Sequence, residues 1–392
     1  MRRVVFNEVE IRQGIREHDT AVITATTRAL DWFNRLATGT PIRIDYWSTK
    51  NNASTFVGYI TNVRPRSQPD GVGRYERQIV AVGASRVLRE TARATYRNMT
   101  APEIASAVAR KAGLTPVIQQ HPLRRPTVIQ DGETHWEFLS RLAKRTGFVL
   151  QVDGTSLHFA SMSHLKQMYA SRAPYLTDHA EMGVKDPARV NVRSVDAWSG
   201  TTSEDAERLS DLAEFTAVSP DGKIHTARRA PDSITNPGRT SRAQYVKYLG
   251  HGVAAHTRVD ADLLAKGAAD NGQMAFQMHL DVAGNPGLKP YRPVMLDLRD
   301  RALNGYWIVK EVTHHLSQGK YSCDLIVAND SVGVNGWTPS TRFNQRTRDV
   351  AQELMQGHSP DVGASPRLIV NRHGFVAGVY TASNTQARWT AS

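Results

Sequence analysis

The stretch from residue 100 to residue 160 carries the strongest local folding signals in this chain. Thr100 and Glu103 have the spacing of a capping box, in which a threonine hydroxyl and a glutamate carboxylate each bond a backbone N–H at a helix start. Pro102 falls in the first turn, where a missing N–H costs little. Apolar residues then recur at helical spacing until Gly113, which can adopt the left-handed conformation that ends a helix. This pattern predicts a short capped helix.

A second helix of the same kind is predicted shortly afterwards. Thr134 and Glu137 form another capping box, and the apolar stripe that follows ends at Gly147. Residues 148–152 and 155–159 then read as two strands joined by a tight turn at Asp153 and Gly154. The stretch is therefore expected to fold as helix, helix and hairpin.

The residues before this stretch are typical of a small all-β domain. Apolar and polar residues alternate in several short segments separated by turn residues, which favours a barrel or sandwich. The predicted strands are residues 4–11, 21–25, 42–47, 56–63 and 77–82. A short helix is predicted at residues 27–36.

A second strand-rich region follows the hairpin. Strands are predicted at residues 190–195, 274–282, 294–298, 306–314 and 321–327. Helices are predicted from Ser203 through Leu212 and Ala213, and again at residues 259–271; residues 217–243 are rich in turn signals. Residues 331–392 form a polar extension in which residues 367–370 and 375–380 are β-like.

Composition limits the class of protein. The chain has 392 residues, of which 40% are hydrophobic, so it is expected to be globular with more than one core. No window approaches the roughly 18 apolar residues of a membrane span, and no secretory signal is recognisable at the start, so we expect synthesis in a cytoplasm. Cys323 is the sole cysteine, which excludes an intrachain disulfide, and its strand-like setting predicts a small buried side chain.

The formal charge of +12 is uneven, because residues 1–100 carry 16 Lys and Arg against 9 Asp and Glu. A basic surface can attract nucleic-acid phosphates. The arginines are nevertheless scattered through strand-like segments without a compact run. Solubility or subunit contacts therefore explain the charge better than a nucleic-acid groove does.

Residue types that carry catalysis or bind metals do not fall into known patterns. His314 and His315 are neighbours in a predicted strand, so their side chains point to opposite faces. His251 and His256 lack nearby carboxylates. Capping explains Glu133 and Glu137 at the start of the second helix, and Asp260 and Asp262 at the start of the helix predicted at residues 259–271. Metal-protease, phosphate-loop and nucleophile-elbow motifs are missing from the sequence. No catalytic, metal or cofactor-binding residue is assigned.

Two segments resemble a known family. They are GETHWEFLSRLAKRTGF at residues 132–148 and GYWIVKEVTHH at residues 305–315, in a chain order of strand-rich domain, capped helices, hairpin, later helix and further strands. This order resembles the late control D family of phage tail proteins, over residues 1–330. That family shares its fold with the central baseplate hubs of contractile phages and with the front half of type VI secretion spike proteins.

The resemblance implies an α+β, mainly β fold with two β-barrel domains. The expected domains are a tube-like barrel at 1–97, a helix–helix–hairpin domain at 98–162, a second barrel with helical insertions at 163–330 and an extension at 331–392, a candidate clasp between subunits. The resemblance also implies a non-enzymatic hub in the virion, assembled in the host cytoplasm. It would be a homotrimer that joins a sixfold tail tube or distal tail protein to a threefold central spike or tip, contacts other baseplate proteins and lets the genome DNA pass through its lumen.

Two other functions remain open at this point. The first is a tail-associated peptidoglycan hydrolase with its catalytic part in residues 163–255 or in the extension. The second is a basic nucleic-acid-binding protein, which would bind duplex DNA with a steep dependence on salt.

Overall fold

The computed structural model shows a mainly β protein with a small helical portion. It describes residues 6–27, 36–49, 52–65, 75–178, 189–200, 212–218, 222–229, 246–248, 258–271, 276–299, 303–317, 319–329, 367–370 and 376–380. The predicted helix at residues 27–36 falls mostly outside these ranges.

The first sheet contains the five strands that the alternating pattern predicts. They are β1 (Phe6–Gly14), β2 (Thr20–Thr27), β3 (Pro41–Thr49), β4 (Asn52–Pro65) and β5 (Tyr75–Gly83). The sheet is antiparallel with the order β1-β2-β5-β4-β3. Gly58 on β4 allows β4 and β5 to approach, because a Cβ there would lie 2.3 Å from the carbonyl oxygen of Val82.

Residues 84–169 form a separate unit that we call the insert. It begins with a 3₁₀ helix (Ala84–Arg89), and the remaining elements are β6 (Thr91–Thr100), α1 (Ala101–Lys111), β7 (Thr115–Ile118), β8 (Arg124–Thr134), α2 (His135–Thr146), β9 (Phe148–Asp153), β10 (Ser156–Ser161) and α3 (Met162–Tyr169). Both predicted helices and the hairpin are confirmed. Strands β6, β7 and β8 were not predicted; β6 pairs with β8, and β7 joins the hairpin as a parallel strand.

Both capping boxes form as the sequence predicts. The Thr100 hydroxyl accepts from the N–H of Glu103, and the Glu103 carboxylate accepts from the N–H of Thr100 at 2.9 Å. Thr134 and Glu137 repeat this exchange at the start of α2. Gly147 ends α2 with φ +70°, the left-handed conformation that favours glycine.

The rest of the described chain supplies a barrel, a small sheet and a helix. The elements after the insert are a 3₁₀ turn (Ala170–Arg172), β11 (Tyr175–Thr177), β12 (Arg189–Gly200), β13 (Leu212–Val218), β14 (Ile224–Arg229), β15 (Val246–Tyr248), α4 (Arg258–Asn271), β16 (Phe276–Ala283), β17 (Pro293–Asp297), β18 (Gly305–Ser317), β19 (Lys320–Asn329), β20 (Arg367–Val370) and β21 (Val376–Tyr380). The helix predicted near residues 259–271 is confirmed as α4.

Six strands close into a barrel in the order β17-β11-β12-β16-β19-β18, and β18 returns to pair with β17. All six lie within residues 163–330, where a barrel is predicted. Its core is a single buried cluster that includes Trp307, Val309, Leu325 and Leu296. Closure satisfies the backbone groups that an open sheet would leave at its edges.

Strand β18 belongs to the barrel and to the first sheet at once. One of its edges pairs with β17 over residues 305–308 and then with β1 over residues 311–317. The change of partner coincides with a bulge between Val309 and Glu311 in the pairing with β19. A bulge bends a strand and increases its twist, so β18 can leave the barrel wall and continue into the first sheet. The two bodies therefore form one sheet of eleven strands.

One sequence prediction is wrong in this region. Leu212 and Ala213, expected at the end of a helix, begin strand β13, which pairs with β14 and β15. The segment continues with Phe215, Thr216 and Val218, whose aromatic and branched side chains favour strands. Pairing with β14 therefore overrides the local helical spacing. Helix α4 covers this small sheet through Leu264, Ala261 and Ala265.

Candidate functional site: the junction of insert, first sheet and barrel

The hairpin β9–β10 is buried on both of its faces. Phe148, Leu150 and Val152 pack into the helical core of the insert. The alternate residues point the other way, because side chains alternate along a strand. There, Val149 packs with Tyr291 and with other residues next to the barrel: Ala160, Met162, Leu165 and Ile308. The hairpin is thus the wall that the insert shares with the barrel.

An ion-pair cluster lies at the end of this shared wall. Asp153 on β9 accepts hydrogen bonds from Lys289 Nζ and from Arg292 Nη2, the latter at 2.8 Å. Both cations come from the segment between β16 and β17, and the side chains of Asp153 and Lys289 are only 15% and 10% exposed. Arg292 also covers the ring of Tyr169 at 4.4 Å from its centroid, a cation–π contact. The cluster fastens the insert to the barrel.

The charges of this cluster control the pKa of Asp153. Burial alone would raise it, since a low dielectric disfavours the charged carboxylate. The adjacent Lys289 and Arg292 outweigh burial and lower the pKa of Asp153 below its ordinary value. Asp153 is therefore an anion at neutral pH, with two cations in direct contact.

A second buried carboxyl completes the junction from the side of the first sheet. Asp19 lies in the loop between β1 and β2, and its Oδ2 accepts from Gln13 Nε2 at 2.6 Å. Burial raises the pKa of Asp19 to about 7, and the charge of Asp153 adds to this effect, while the bond from Gln13 and the charge of Lys289 oppose it. Asp19 thus titrates near neutral pH, unlike Asp153.

Further contacts hold the loop of Asp19 in place. The ring of His18 lies against Trp136 of α2, with centroids 4.4 Å apart, and its Nδ1 is 2.8 Å from the Ser85 hydroxyl. The N–H of Gly83 donates to the carbonyl of Asp19 at 2.7 Å. A Cβ at Gly83 would lie only 3.0 Å from that of Asp19, so glycine permits the approach.

The far end of the first sheet also reaches the barrel. Asn52, at the start of β4, donates to Asn285 Oδ1 at 3.0 Å. The ring of Tyr46 on β3 lies 5.1 Å from that of His314 on β18. The first sheet therefore curls over the strand that it shares with the barrel.

The one cysteine and a histidine meet inside this region. Cys323 is fully buried on β19, as the sequence predicts, with Sγ 3.1 Å from His314 Nδ1. The Tyr321 hydroxyl is 3.0 Å from the same nitrogen. Burial raises the pKa of Cys323 to about 12 and lowers that of His314 to about 3. A thiolate–imidazolium pair, which a nucleophilic cysteine needs, is therefore not formed.

The other residues weighed as catalytic or metal-binding have ordinary partners. His315 points away from His314, as strand alternation predicts, and its Nε2 is 2.8 Å from Asp324. Glu137 caps α2, whereas Glu133 pairs with Arg141 instead of capping. His251 and His256 lie outside the described residues. Within the described ranges, no three metal-binding side chains come together.

The surface offers features suited to contact with other proteins. Among the described strands of the large sheet, β3 pairs on one side only, and its Trp47 is 60% exposed. A shallow groove of about 470 Å³ lies near the β18–β19 turn, lined by Glu8, Arg193, His315 and Lys320 among others. No described helix is both long and apolar enough to cross a membrane. Exposed aromatic side chains beside a free strand edge are typical of association surfaces.

The junction is not evident from the sequence. Asp153 has the local pattern of a turn residue, and Lys289 lies 136 residues away along the chain. One signal was available. Gln151, Asp153 and His158 interrupt a hairpin whose strands are otherwise mainly apolar on both faces, which indicates a buried polar contact.

Comparison with known proteins agrees with this architecture. The model of the phage tail baseplate hub family (GPD) matches residues 20–320. No curated protein sequence matches the chain.

Among solved structures, a 43 kDa tail protein of prophage MuSo2 from Shewanella oneidensis has a TM-score of 0.56 and 14% identity, and the match covers 83% of this chain and 94% of that one. A tail protein from Neisseria meningitidis has the same TM-score and identity, with 85% and 94% covered. An E. coli component of the type VI secretion system has a TM-score of 0.51 and 14% identity, with 86% and 77% covered. At this identity the likeness concerns the fold.

Proposed function

This chain belongs to the phage tail baseplate hub family, and from that membership we propose that it forms a homotrimeric ring in the tail of a phage or phage-like particle. The ring joins the sixfold tail tube, or a distal tail protein, to a threefold central spike or tip. Its lumen passes the genome without sequence-specific contacts. The protein is assembled in the host cytoplasm and acts in the virion.

The continuous sheet is the observation that carries this proposal. Each copy holds a closed barrel and a curled five-stranded sheet side by side, and β18 is part of both. Three copies would present six such bodies around one axis. A protein with threefold symmetry could in this way meet a sixfold tube on one face and a threefold spike on the other. The ion pairs of Asp153 support the same role, because they resist rotation of the insert against the barrel.

A closed ring requires two different surfaces on each copy, since its interfaces are heterologous. The unpaired edge of β3 with exposed Trp47 supports one of them. Residues 331–392 are proposed to supply a clasp between neighbouring copies. Within this extension, β20 and β21 pair with each other as a short antiparallel sheet. Two paired strands are marginal alone and gain stability on docking to a larger body.

Mass measurement and imaging of the purified chain test the ring. We expect light scattering to give three times the 43.4 kDa of one chain, and negative-stain images to show threefold rings with a central opening. A compact monomer at every concentration would contradict the ring. Removing residues 331–392 should weaken the trimer; an unchanged oligomer would contradict the clasp while leaving the ring standing.

The proposed role is structural rather than catalytic. The buried thiol of Cys323, held neutral beside His314, supports this view because it lacks the activated state of a nucleophile. We expect the purified chain to release no fragments from isolated peptidoglycan. We also expect weak binding to duplex DNA at physiological salt. Cell-wall turnover, or tight DNA binding that falls steeply with salt, would contradict the proposal.

A further inference from the structure

The two buried carboxyls of the junction have unequal partners. Asp153 is in contact with both Lys289 and Arg292. Asp19 has a short bond from the neutral amide of Gln13, while Lys289 acts on it through its charge. Both carboxyls thus interact with Lys289, but Asp153 is the one in direct contact with it.

The amide of Gln13 can serve Asp19 in both protonation states. Its Nε2 donates to the carboxylate, and its Oε1 is buried without a hydrogen-bond partner. A protonated carboxyl carries an O–H donor, so a rotation of the Gln13 amide would let Oε1 accept from Asp19. After such a rotation Nε2 would replace Oε1 as the unpaired atom, so Gln13 can form one hydrogen bond with Asp19 in either protonation state.

We propose that Asp19 and Gln13 form a proton-controlled lock between the first sheet and the contact of insert and barrel. With Asp19 protonated, the loop is neutral and Lys289 is fully engaged with Asp153. When Asp19 loses its proton, a second negative charge is buried beside Asp153 and the two carboxylates compete for Lys289. The attachment of the hairpin β9–β10 to the segment between β16 and β17 is then weakened.

The groups that surround Asp19 leave it as the one that changes charge near neutral pH. Tyr46 on β3, Asp153 of the hairpin and Lys289 of the β16–β17 segment interact with the charge of Asp19. His158, Arg292 and His314 interact in turn with Asp153 or Lys289. Burial lowers the pKa of His158 and His314 and raises that of Tyr46, so these three stay neutral. Arg16, Glu17 and His18 share its loop, and burial also lowers the pKa of His18, to about 4.

The sign of the pH dependence follows from the shift of Asp19. Its folded-state pKa of about 7 exceeds the ordinary value of 3.8, so the folded state holds the proton more tightly than the unfolded chain. The stabilisation that the protonated carboxyl of Asp19 provides is complete below pH 3.8 and is lost as the pH rises through about 7. Between pH 5 and pH 7 this group alone should change the unfolding equilibrium by about 50-fold.

The test compares wild type with Asp19→Asn, which keeps the shape and removes the titration. We expect denaturant unfolding from pH 5 to pH 8.5 to show a difference between the two profiles that changes by about 50-fold between pH 5 and pH 7. Asp45→Asn is the matched control, since Asp45 is an exposed carboxyl on β3; its profile should run parallel to that of wild type. Identical profiles for wild type and Asp19→Asn would overturn the lock.

Hydrogen exchange with mass spectrometry separates a local lock from a general effect. Relative to intrinsic rates, peptides that cover residues 148–161 should lose protection in wild type between pH 6 and pH 8, and peptides of α1 should not. If Asp19→Asn fails to fold, Asp153→Asn replaces it: removal of that charge should move the midpoint of the pH profile downward. Equal loss of protection in the peptides of residues 148–161 and in those of α1 would contradict the proposal. So would an unchanged midpoint of the pH profile in Asp153→Asn.

Discussion

The insert and the barrel of this protein reach their folds by opposite routes. Every residue of the insert's main core comes from residues 84–159, and helices α1 and α2 begin at capping boxes that involve residues three apart. The barrel core draws on residues from Leu176 to Val327. Its closure depends on β11, a three-residue strand that pairs in parallel with both β12 and β17. Local signals thus specify the insert, whereas the barrel depends on contacts between distant segments.

This difference predicts how far the effect of a substitution spreads from its site. A barrel whose smallest strand has only three residues cannot depend on hydrogen bonds alone for closure, so its packed interior must carry much of the stability. The insert can lose one cap and keep its own core. Substitutions in the two regions should therefore differ in size and in the range over which protection from exchange is lost.

The largest effect is expected at Trp307. Its side chain is 1% exposed, fills the barrel core and donates from Nε1 to the carbonyl of Leu303 at 2.8 Å. Trp307→Ala removes the largest fully buried side chain among the described residues and leaves a cavity, which should lower the free energy of unfolding by about 4 kcal/mol. Denaturant unfolding measures the loss. Hydrogen exchange should show β16 to β19 opening more readily than α1 and α2.

Trp47→Ala is the matched control for this substitution. The same side chain is 60% exposed on the edge strand β3, so its removal should change the stability of the single chain by less than about 0.5 kcal/mol. Equal losses for the two tryptophans, or equal opening of insert and barrel in Trp307→Ala, would contradict the contrast between the two regions.

The same contrast explains how much the sequence could predict. The capping boxes of α1 and α2 and the turn at Gly154 are local, and they gave the helices and the hairpin. Strand β6 has no local signal, because its partner β8 lies beyond helix α1 in the chain. Thr91, for example, pairs with Thr134. Leu212 was assigned to a helix because its spacing is helical, while the pairing of β13 with β14 decides its structure.

The barrel and the junction show a deeper limit. The longer strands of the barrel can be predicted from the alternation of apolar and polar residues. Nothing local, however, indicates that β18 changes partner from β17 to β1. Likewise, Asp19, Asp153 and Lys289 have ordinary neighbours in sequence and meet only in the folded chain. A burial-driven pKa shift cannot be read from residues whose burial depends on three separate elements.

Acid pH should weaken the barrel through one buried histidine. His314 on β18 is fully buried, and burial, with the charge of Lys289, lowers its pKa to about 3 from an ordinary 6.5. Below pH 6.5 His314 is protonated in the unfolded chain but stays neutral in the folded chain. The contribution of His314 to stability is therefore present above pH 6.5 and is lost as the pH falls below it. Between pH 7 and pH 5, His314 should account for a loss of about 2 kcal/mol.

His314→Gln tests this value in the Asp19→Asn background, where the opposite contribution of Asp19 is absent. The variant should lose about 2 kcal/mol less than its parent on going from pH 7 to pH 5. His135→Gln is the counterpart in the insert, where burial lowers the histidine pKa and the charge of Glu90 opposes this effect; its effect should be smaller. An equal or larger effect for His135→Gln would contradict the expectation that His314 of the barrel contributes more to the pH dependence of stability than His135 of the insert.

The smallest effect is expected at the cap of α2. Thr134→Ala deletes the hydroxyl that accepts from the N–H of Glu137 at 3.2 Å, which should cost about 1 kcal/mol. Thr134→Ser keeps the cap and should be close to wild type, and Thr127→Ala on exposed β8 should change stability by less than about 0.5 kcal/mol. Because the cap acts on one helix turn, faster exchange should be confined to residues 135–146. Loss of protection in β18 or β19 would mean that the insert and the barrel unfold as one cooperative unit despite their different origins.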